Sequence, residues 1–168
     1  MLQAVSNVAD LQRLAIAERV IEEQQPLTRF PRLLQSLAGT EGQVHYQLRF
    51  KLNAAGQPAV HVRAQANVPL LCQRTLETYQ HVLDVETRLG AISREEDEAA
   101  LLSGYEPLLL DGNPKSFDQI AEDELILALP LVPLKPGSEG AIRAWEAEPE
   151  VEEPKPAPFA ALAKWKKN

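Results

Sequence analysis

The sequence is poor in cysteine, in clustered glycine and in long apolar runs, and each shortage excludes a class of protein. Its single cysteine, Cys72, rules out an intrachain disulfide and suits a reducing compartment. No apolar run approaches the roughly 20 residues of a membrane span. The start, MLQAVSNVADLQR, lacks the basic and apolar regions of a secretory signal. We therefore expect a cytoplasmic protein without a membrane segment.

Groups that perform catalysis are also scarce. The three histidines are His45, His61 and His81, and the sequence around them shows no recognisable arrangement of a nucleophile, a base and an acid. A metal site needs ligands at short, repeated spacing, which one cysteine and three scattered histidines do not supply. The eight glycines are dispersed, so no phosphate-cradling loop is present. These observations favour a protein that is not an enzyme and needs no metal or other cofactor.

Charge is acidic overall but unevenly distributed. The 168 residues carry a formal net charge of -7, so the overall field does not draw the protein to nucleic acid. Residues 43–83, however, carry a net charge of +3, whereas residues 84–134 carry -9. Any contact with RNA must therefore use a local basic patch or a protein partner.

Hydrophobic periodicity predicts a β-hairpin at residues 43–68. Apolar and polar residues alternate on both sides of a turn that contains glycine, which is typical of two antiparallel strands with one buried face. A turn centred midway between the two runs places Arg49 opposite His61 and Gln47 opposite Arg63. The hairpin is therefore expected to form the centre of an antiparallel sheet.

About three helices are expected to pack on this sheet, giving an α+β fold. Helical spacing of apolar residues predicts them near 6–15, 28–38 and 116–129. The third has the clearest start, because Ser116 and Gln119 form a capping box. Weaker patterns indicate strands at 17–25, 76–89 (one or two strands) and 105–110, and a loop or poor helix at 94–104.

The end of the chain differs in composition from the rest. Between residues 135 and 158, glycine, proline, glutamate and alanine dominate, and such a segment cannot bury enough apolar surface to offset the entropy of ordering. We therefore expect one α+β domain over 1–134, a flexible Pro/Glu-rich linker over 135–158, and a short amphipathic basic segment over 159–168.

Two basic surfaces are candidates for contact with RNA or a protein partner. The first consists of residues on the polar face of the hairpin and in the turn after it: Arg49, Lys51, Arg63 and Arg74. An ordinary solvated sheet face is the alternative. The second joins aromatic and basic residues near the C-terminus: Lys164, Trp165, Lys166 and Lys167. Such a combination suits RNA or a protein groove, and a frayed chain end is the alternative.

An acidic surface for binding a protein is a further candidate. Glu122, Asp123 and Glu124 follow one another in the third predicted helix. Acidic residues near the start of a helix also complement its dipole, so a solvated helix face is the alternative.

Four segments together resemble a known family. They are VPLLCQRTLETYQH, YEPLLLDG, FDQIAEDELILALPLVPLKPG and PFAALAKWKKN, and they stand in the order seen in the bacterial large ribosomal RNA subunit accumulation protein family (YceD-like). The resemblance covers residues 43–168 well and the N-terminal third loosely. It implies a role in the synthesis, processing or stability of large-subunit ribosomal RNA, with precursor RNA or a ribosomal protein as partner.

The sequence departs from this family at one turn. Many members have a CxRC pair where this chain reads Cys72-Gln73-Arg74-Thr75, so a metal or disulfide role is excluded here. The resemblance supplies no catalytic residues. The leading interpretation is a non-enzymatic ribosome-assembly adaptor, and the alternative is an acidic protein-binding module with no direct RNA contact.

Overall fold

A five-stranded sheet organises residues 4–138, which the computed structural model describes. The strands of the described residues are β1 (Ala4–Val5), β2 (Val20–Pro26), β3 (Gln43–Leu52), β4 (Pro58–Leu71), β5 (Thr78–Ile92), β6 (Glu106–Leu109) and β7 (Lys115–Ser116). Strands β2 to β6 form the sheet in chain order, whereas β1 and β7 pair with each other. All these pairs are antiparallel except β5 with β6, which is parallel.

The predicted hairpin is confirmed as β3 and β4. Its register places Arg49 opposite His61 and Gln47 opposite Arg63, as the turn position predicted. Strand β4 continues past residue 68 to Leu71. The α+β class is confirmed as well, because helices pack on one face of this mainly antiparallel sheet.

The weaker strand patterns also correspond to strands. The segment 17–25 contains most of β2, and 105–110 contains β6. The segment 76–89 belongs to one strand, β5, rather than to two. Residues 95–100 form a 3-10 helix, consistent with the loop or poor helix expected over 94–104.

Two of the three predicted helices are close to their expected bounds. Helix α1 (Val8–Ile16) begins after Asn7, whose Oδ1 accepts the N–H of Asp10 at 2.9 Å. Helix α3 (Phe117–Leu127) begins at the predicted capping box: Ser116 Oγ accepts the Gln119 N–H at 3.2 Å, and Gln119 Oε1 accepts the Ser116 N–H at 2.8 Å. It ends two residues before the predicted residue 129.

The second predicted helix, over 28–38, is wrong in extent. A 3-10 turn at Leu27–Arg29 is followed by α2, a single helical turn at Pro31–Leu34. Between them Phe30 has φ -116° and ψ 73°, which is not helical. The reason is Pro31, because a proline ring disfavours the helical conformation of the residue before it.

The core lies between the helices and the inner face of the sheet. Alternate residues of β3, namely Val44, Tyr46, Leu48 and Phe50, are almost inaccessible to solvent. The rings of Phe50 and Phe117 pack 5.6 Å apart, which joins the sheet to the start of α3. Because α1 and α3 cover this face, the alternating polar side chains of the same strands are left on the other face.

A compact unit extends from Met1 to Lys135. The linker predicted over 135–158 lies outside the described residues except for its first four, and the segment predicted over 159–168 lies outside them entirely. The predicted division into domain, linker and terminal segment therefore stays a prediction.

Candidate functional site

The outer face of the sheet, turned away from α1 and α3, brings the hairpin cations together. Arg49, His61 and Arg88 form one row across β3, β4 and β5, because the register sets them directly opposite one another. Lys51 lies two residues further along β3 on the same face. We call Arg49, Lys51 and Arg88 the basic cluster.

The cations of the basic cluster form no ion pairs within residues 4–138. Neighbouring strands lie about 4.8 Å apart, so the backbones of Arg49 and Arg88 are separated by about 10 Å. Arg49 donates to Gln47 Oε1 at 3.4 Å, and none of the three cations forms an ion pair with a described residue. The cluster is therefore a local positive site on an acidic protein.

His61 lies in the middle of this cluster, and its surroundings disfavour the protonated imidazolium form. Burial is the largest cause that lowers its pKa below the ordinary value, and the charges of Lys51, Arg88 and Arg49 lower it further. The ring of Tyr105 covers it, with the two centroids 6.1 Å apart. The positive charge of the site therefore comes from the lysine and the two arginines.

Tyr105 reaches the outer face because the connection from β5 to β6 folds over this end of the sheet. Gly90, next to Arg88's row, faces Leu101 from that connection. A Cβ at Gly90 would lie 2.6 Å from Leu101 Cδ2, so a larger residue there would have to displace the end of the Leu101 side chain. The close packing fixes the connection beside the basic cluster.

Arg63 lies on the same face, as predicted, but it is neutralised. Its guanidinium donates to Glu86 Oε2 at 2.9 and 3.2 Å. One row away, His45 lies 3.2 Å from Glu22, and Gln65 donates to Asp84. Most of the outer face is therefore a mixture of charges, and the uncompensated positive charge lies at one end.

Arg74 does not join these residues. It lies in the turn after β4, and His61 is ten residues from the end of that strand at Leu71. At about 3.3 Å per residue, Arg74 is roughly 30 Å from the basic cluster. The predicted set of four hairpin and turn cations is therefore divided between the two ends of the sheet.

The neighbouring Cys72 is buried, as expected for a residue that packs in the core. Its Sγ accepts the N–H groups of Lys135 at 3.3 Å and Thr75 at 3.5 Å. These donors, with the Lys135 N–H the largest cause, lower the pKa of Cys72 to about 6. Since the Gln73 N–H also donates to Pro133 O at 2.9 Å, the turn holds the chain that follows α3.

The predicted acidic surface is wrong, because two of its three residues are buried. Glu122 and Glu124 are 2% and 6% exposed. The Glu122 carboxylate accepts the N–H groups of Arg32 at 2.7 Å and Leu33 at 3.1 Å, so it caps the start of α2. Asp123 is more accessible but pairs with Arg32 and Lys115. The acidic triplet holds α2 against α3 instead of facing a partner.

Glu124 lines a cavity of about 410 Å³ between α3 and β6. Burial raises its pKa above the ordinary value, although the Thr87 hydroxyl opposes this by hydrogen bonding to the carboxylate. Leu108 and Leu127 form part of the apolar wall. Charged side chains, among them Arg32, Glu106 and Lys115, line the cavity as well, and of the sequence candidates Glu124 and its neighbour Asp123 lie in it.

The remaining sequence candidates do not form a site. His81 lies in the inward register of β5, opposite Val68, with its ring 6.1 Å from that of Tyr79. Among residues 4–138 there is no group of three histidine, cysteine, aspartate or glutamate side chains arranged to hold a metal ion. Over the same residues, no helix is long and apolar enough to cross a bilayer. The four C-terminal candidates lie outside the described residues: Lys164, Trp165, Lys166 and Lys167.

Sequence reasoning missed two residues of the site, Arg88 and Tyr105. The alternation of β5 contained a signal for Arg88, because continuing the antiparallel register from β4 places it opposite His61. Tyr105 had no comparable signal, since its position depends on how a connection of irregular structure packs on the sheet.

Comparisons with known proteins agree on one family. A family model described as Large ribosomal RNA subunit accumulation protein YceD matches residues 60–166. A protein named Large ribosomal RNA subunit accumulation protein YceD, from Haemophilus influenzae, is 31% identical over 146 residues, which cover 82% of this chain and 82% of that protein. No solved structure matches the chain. The range matched by the family model contains Arg88 and Tyr105, whereas Arg49 and Lys51 precede it.

Proposed function

Because this chain belongs to the family of large ribosomal RNA subunit accumulation proteins, YceD, we propose that it supports the accumulation of large-subunit ribosomal RNA. It acts in the cytoplasm as a non-enzymatic assembly adaptor, and its partner is precursor RNA or a ribosomal protein. The name of the Haemophilus influenzae relative supports the ribosomal part of this proposal. The adaptor part rests on the surface of the protein.

The observation that carries the adaptor proposal is the outer face of the sheet. Helices α1 and α3 cover the inner face, while β3, β4 and β5 present rows of long polar side chains on the other. An adaptor acts by binding alone, so such a surface is sufficient for it without reacting groups. The uncompensated cations Arg49, Lys51 and Arg88 give that surface a preferred point of contact for an anion.

Deletion of the gene in the native host tests the ribosomal role. We expect the ratio of large-subunit to small-subunit ribosomal RNA to fall, and the wild-type chain to restore it. Because the proposal involves no catalysis, His45→Gln and His81→Gln variants should restore the ratio as well as the wild type does. An unchanged ratio on deletion would contradict the role, and failure of the folded His81→Gln variant, whose position lies away from the outer face, would contradict a non-enzymatic mechanism.

A protein-binding module that never touches RNA is the second candidate. Two features favour it: the net charge of -9 over residues 84–134, and an exposed apolar stretch that includes Leu127, Leu131 and Val132. Both suit a basic protein with apolar side chains.

A pull-down from the host with and without ribonuclease separates the two candidates. Large-subunit precursor RNA recovered only without ribonuclease supports direct contact with RNA. A ribosomal protein recovered under both conditions, without RNA, supports the protein-binding module. Truncation after Pro136 tests the predicted C-terminal contact residues, because loss of the recovered RNA in that variant would assign the contact to the tail.

A further inference from the structure

We propose that Arg49, Lys51, Arg88 and Tyr105 form a binding site for single-stranded RNA, in which the three cations contact phosphates and the tyrosine ring stacks on an unpaired base. The inference deepens the proposed function and rests on it for the identity of the RNA. The site itself follows from the charge, the geometry and the exposure of these side chains.

The first argument is electrostatic. The backbones of Arg49 and Arg88 lie about 10 Å apart across β4, with Lys51 two residues along β3 from Arg49, and this separation is comparable with the screening length of about 8 Å at physiological salt. No ion pair with a carboxylate of the described residues relieves their mutual repulsion. Phosphates bound there would relieve it and would release counterions, which is the main source of affinity for nucleic acids.

The second argument is the aromatic ring beside the cations. Tyr105 is partly exposed and packs against His61, whose row contains Arg49 and Arg88. Sites for single strands combine a positive surface along the backbone with aromatic side chains on which bases stack. Tyr105 and the basic cluster supply both elements at one end of the sheet.

The combination favours an unpaired strand over a duplex. In a duplex the faces of the bases are already stacked on their neighbours, so the tyrosine has nothing to bind. The depression around His61, about 200 Å³, is open and polar, and its lining residues are Gln47, Arg49, His61, Arg63 and Glu86. It therefore suits a nucleotide lying on the sheet better than a helix docked by its groove.

The Arg63–Glu86 ion pair marks the edge of the proposed RNA-binding site. Glu86 lies one row from Arg88 on the same strand, and its carboxylate holds the Arg63 guanidinium. In the wild type, Arg63 therefore contributes little to the binding of an anion. Glu86→Gln removes the competing carboxylate, so it should add Arg63 to the site and increase the affinity for RNA several-fold.

The test uses fluorescence anisotropy to measure how the purified full chain binds a labelled single-stranded RNA across a series of salt concentrations. The RNA has about 12 nucleotides, a length within the footprint of such sites. Each lost phosphate contact should make the plot of log affinity against log salt shallower by about 0.7. We expect this for Arg49→Gln and for Arg88→Gln, with about fivefold weaker binding near 0.1 M salt. Arg13→Gln is the control, because it changes the net charge equally but lies on α1.

The tyrosine has a different signature. Tyr105→Ala should weaken binding roughly 5- to 100-fold without changing the salt dependence, whereas Tyr105→Phe should bind as the wild type does. A duplex of the same sequence should bind more weakly than the single strand. Circular dichroism and urea unfolding establish that each variant is folded.

The inference is overturned if Arg13→Gln weakens binding as much as Arg88→Gln does, if Tyr105→Ala binds normally, or if the duplex binds as tightly as the single strand. Its failure is distinguishable from that of the proposed function. If the wild-type chain binds no RNA but its deletion lowers large-subunit RNA, only the site is wrong. If it binds RNA as expected but deletion changes nothing, only the cellular role is wrong.

Discussion

Glu122 offers the sharpest test of how the fold is held together. It lies in α3, and its buried carboxylate accepts the backbone N–H groups of Arg32 and Leu33 at the start of α2. The Arg32 Nε is 3.2 Å from the same carboxylate. Glu122→Ala removes all three contacts at once and leaves the two backbone donors without their carboxylate acceptor.

The expected loss of stability is about 3–5 kcal/mol. A hydrogen bond to a charged group contributes about 1.5–3 kcal/mol, and an unsatisfied buried donor costs about 1–3 kcal/mol. The contributions overlap and the Arg32 side chain is half exposed, so the total should stay near the loss of two hydrogen bonds to a charged group, about 3–5 kcal/mol. Glu122→Gln keeps one acceptor oxygen and should cost only about half as much.

Urea unfolding followed by circular dichroism measures this loss. With a slope of about 2 kcal/mol per molar urea, Glu122→Ala should lower the midpoint by roughly 2 M. Glu96→Ala is the matched control, because Glu96 is exposed and should change stability by less than about 0.5 kcal/mol. Equal midpoints for the two alanine variants would refute the capping role of Glu122.

Two further predictions concern backbone strain and buried charge. Leu76 has φ +57° and is 71% exposed, so Leu76→Gly should relieve the strain of a left-handed backbone conformation. After the entropy cost of glycine is subtracted, the free energy of unfolding measured in urea should rise by about 0.5–1 kcal/mol. A decrease instead would show that the leucine side chain makes a stabilising contact. Burial raises the pKa of Glu124, so its ionisation costs stability as the pH rises above the unfolded value of about 4.3. Glu124→Gln should therefore unfold at a higher urea concentration than the wild type at neutral pH and lose that advantage below about pH 4. A stability difference that does not change with pH would contradict the raised pKa of Glu124.

The hairpin and its polar face were predictable because their determinants are local. Alternation over 43–68 fixes which side chains share a face, and a short turn fixes the register, so Arg49, Lys51 and Arg63 were assigned correctly to one surface. The capping box at Ser116 is equally local. Charge alone, however, did not reveal that Glu86 neutralises Arg63, since that pair depends on the register of a third strand.

The residues that were wrong or missed depend on packing between distant parts of the chain. Glu122 is an ordinary acidic helix residue in the sequence, and only the placement of α2, 90 residues earlier, gives it donors to bind. For Glu124 a signal was present: it follows Phe117, Ile120 and Ala121 at helical spacing, on the stripe that is buried. Tyr105 becomes part of a site only through the fold of the β5–β6 connection.

The pairing of β1 with β7 also sets an order of events during synthesis. Strands β2 to β5 are joined by consecutive connections, so each can pair soon after its neighbour leaves the ribosome. Strand β1 has to wait for a partner at the other end of the described chain, because Ala4 pairs with Ser116. Strand β1 is therefore made before the other described strands but is among the last of them to be fixed by pairing.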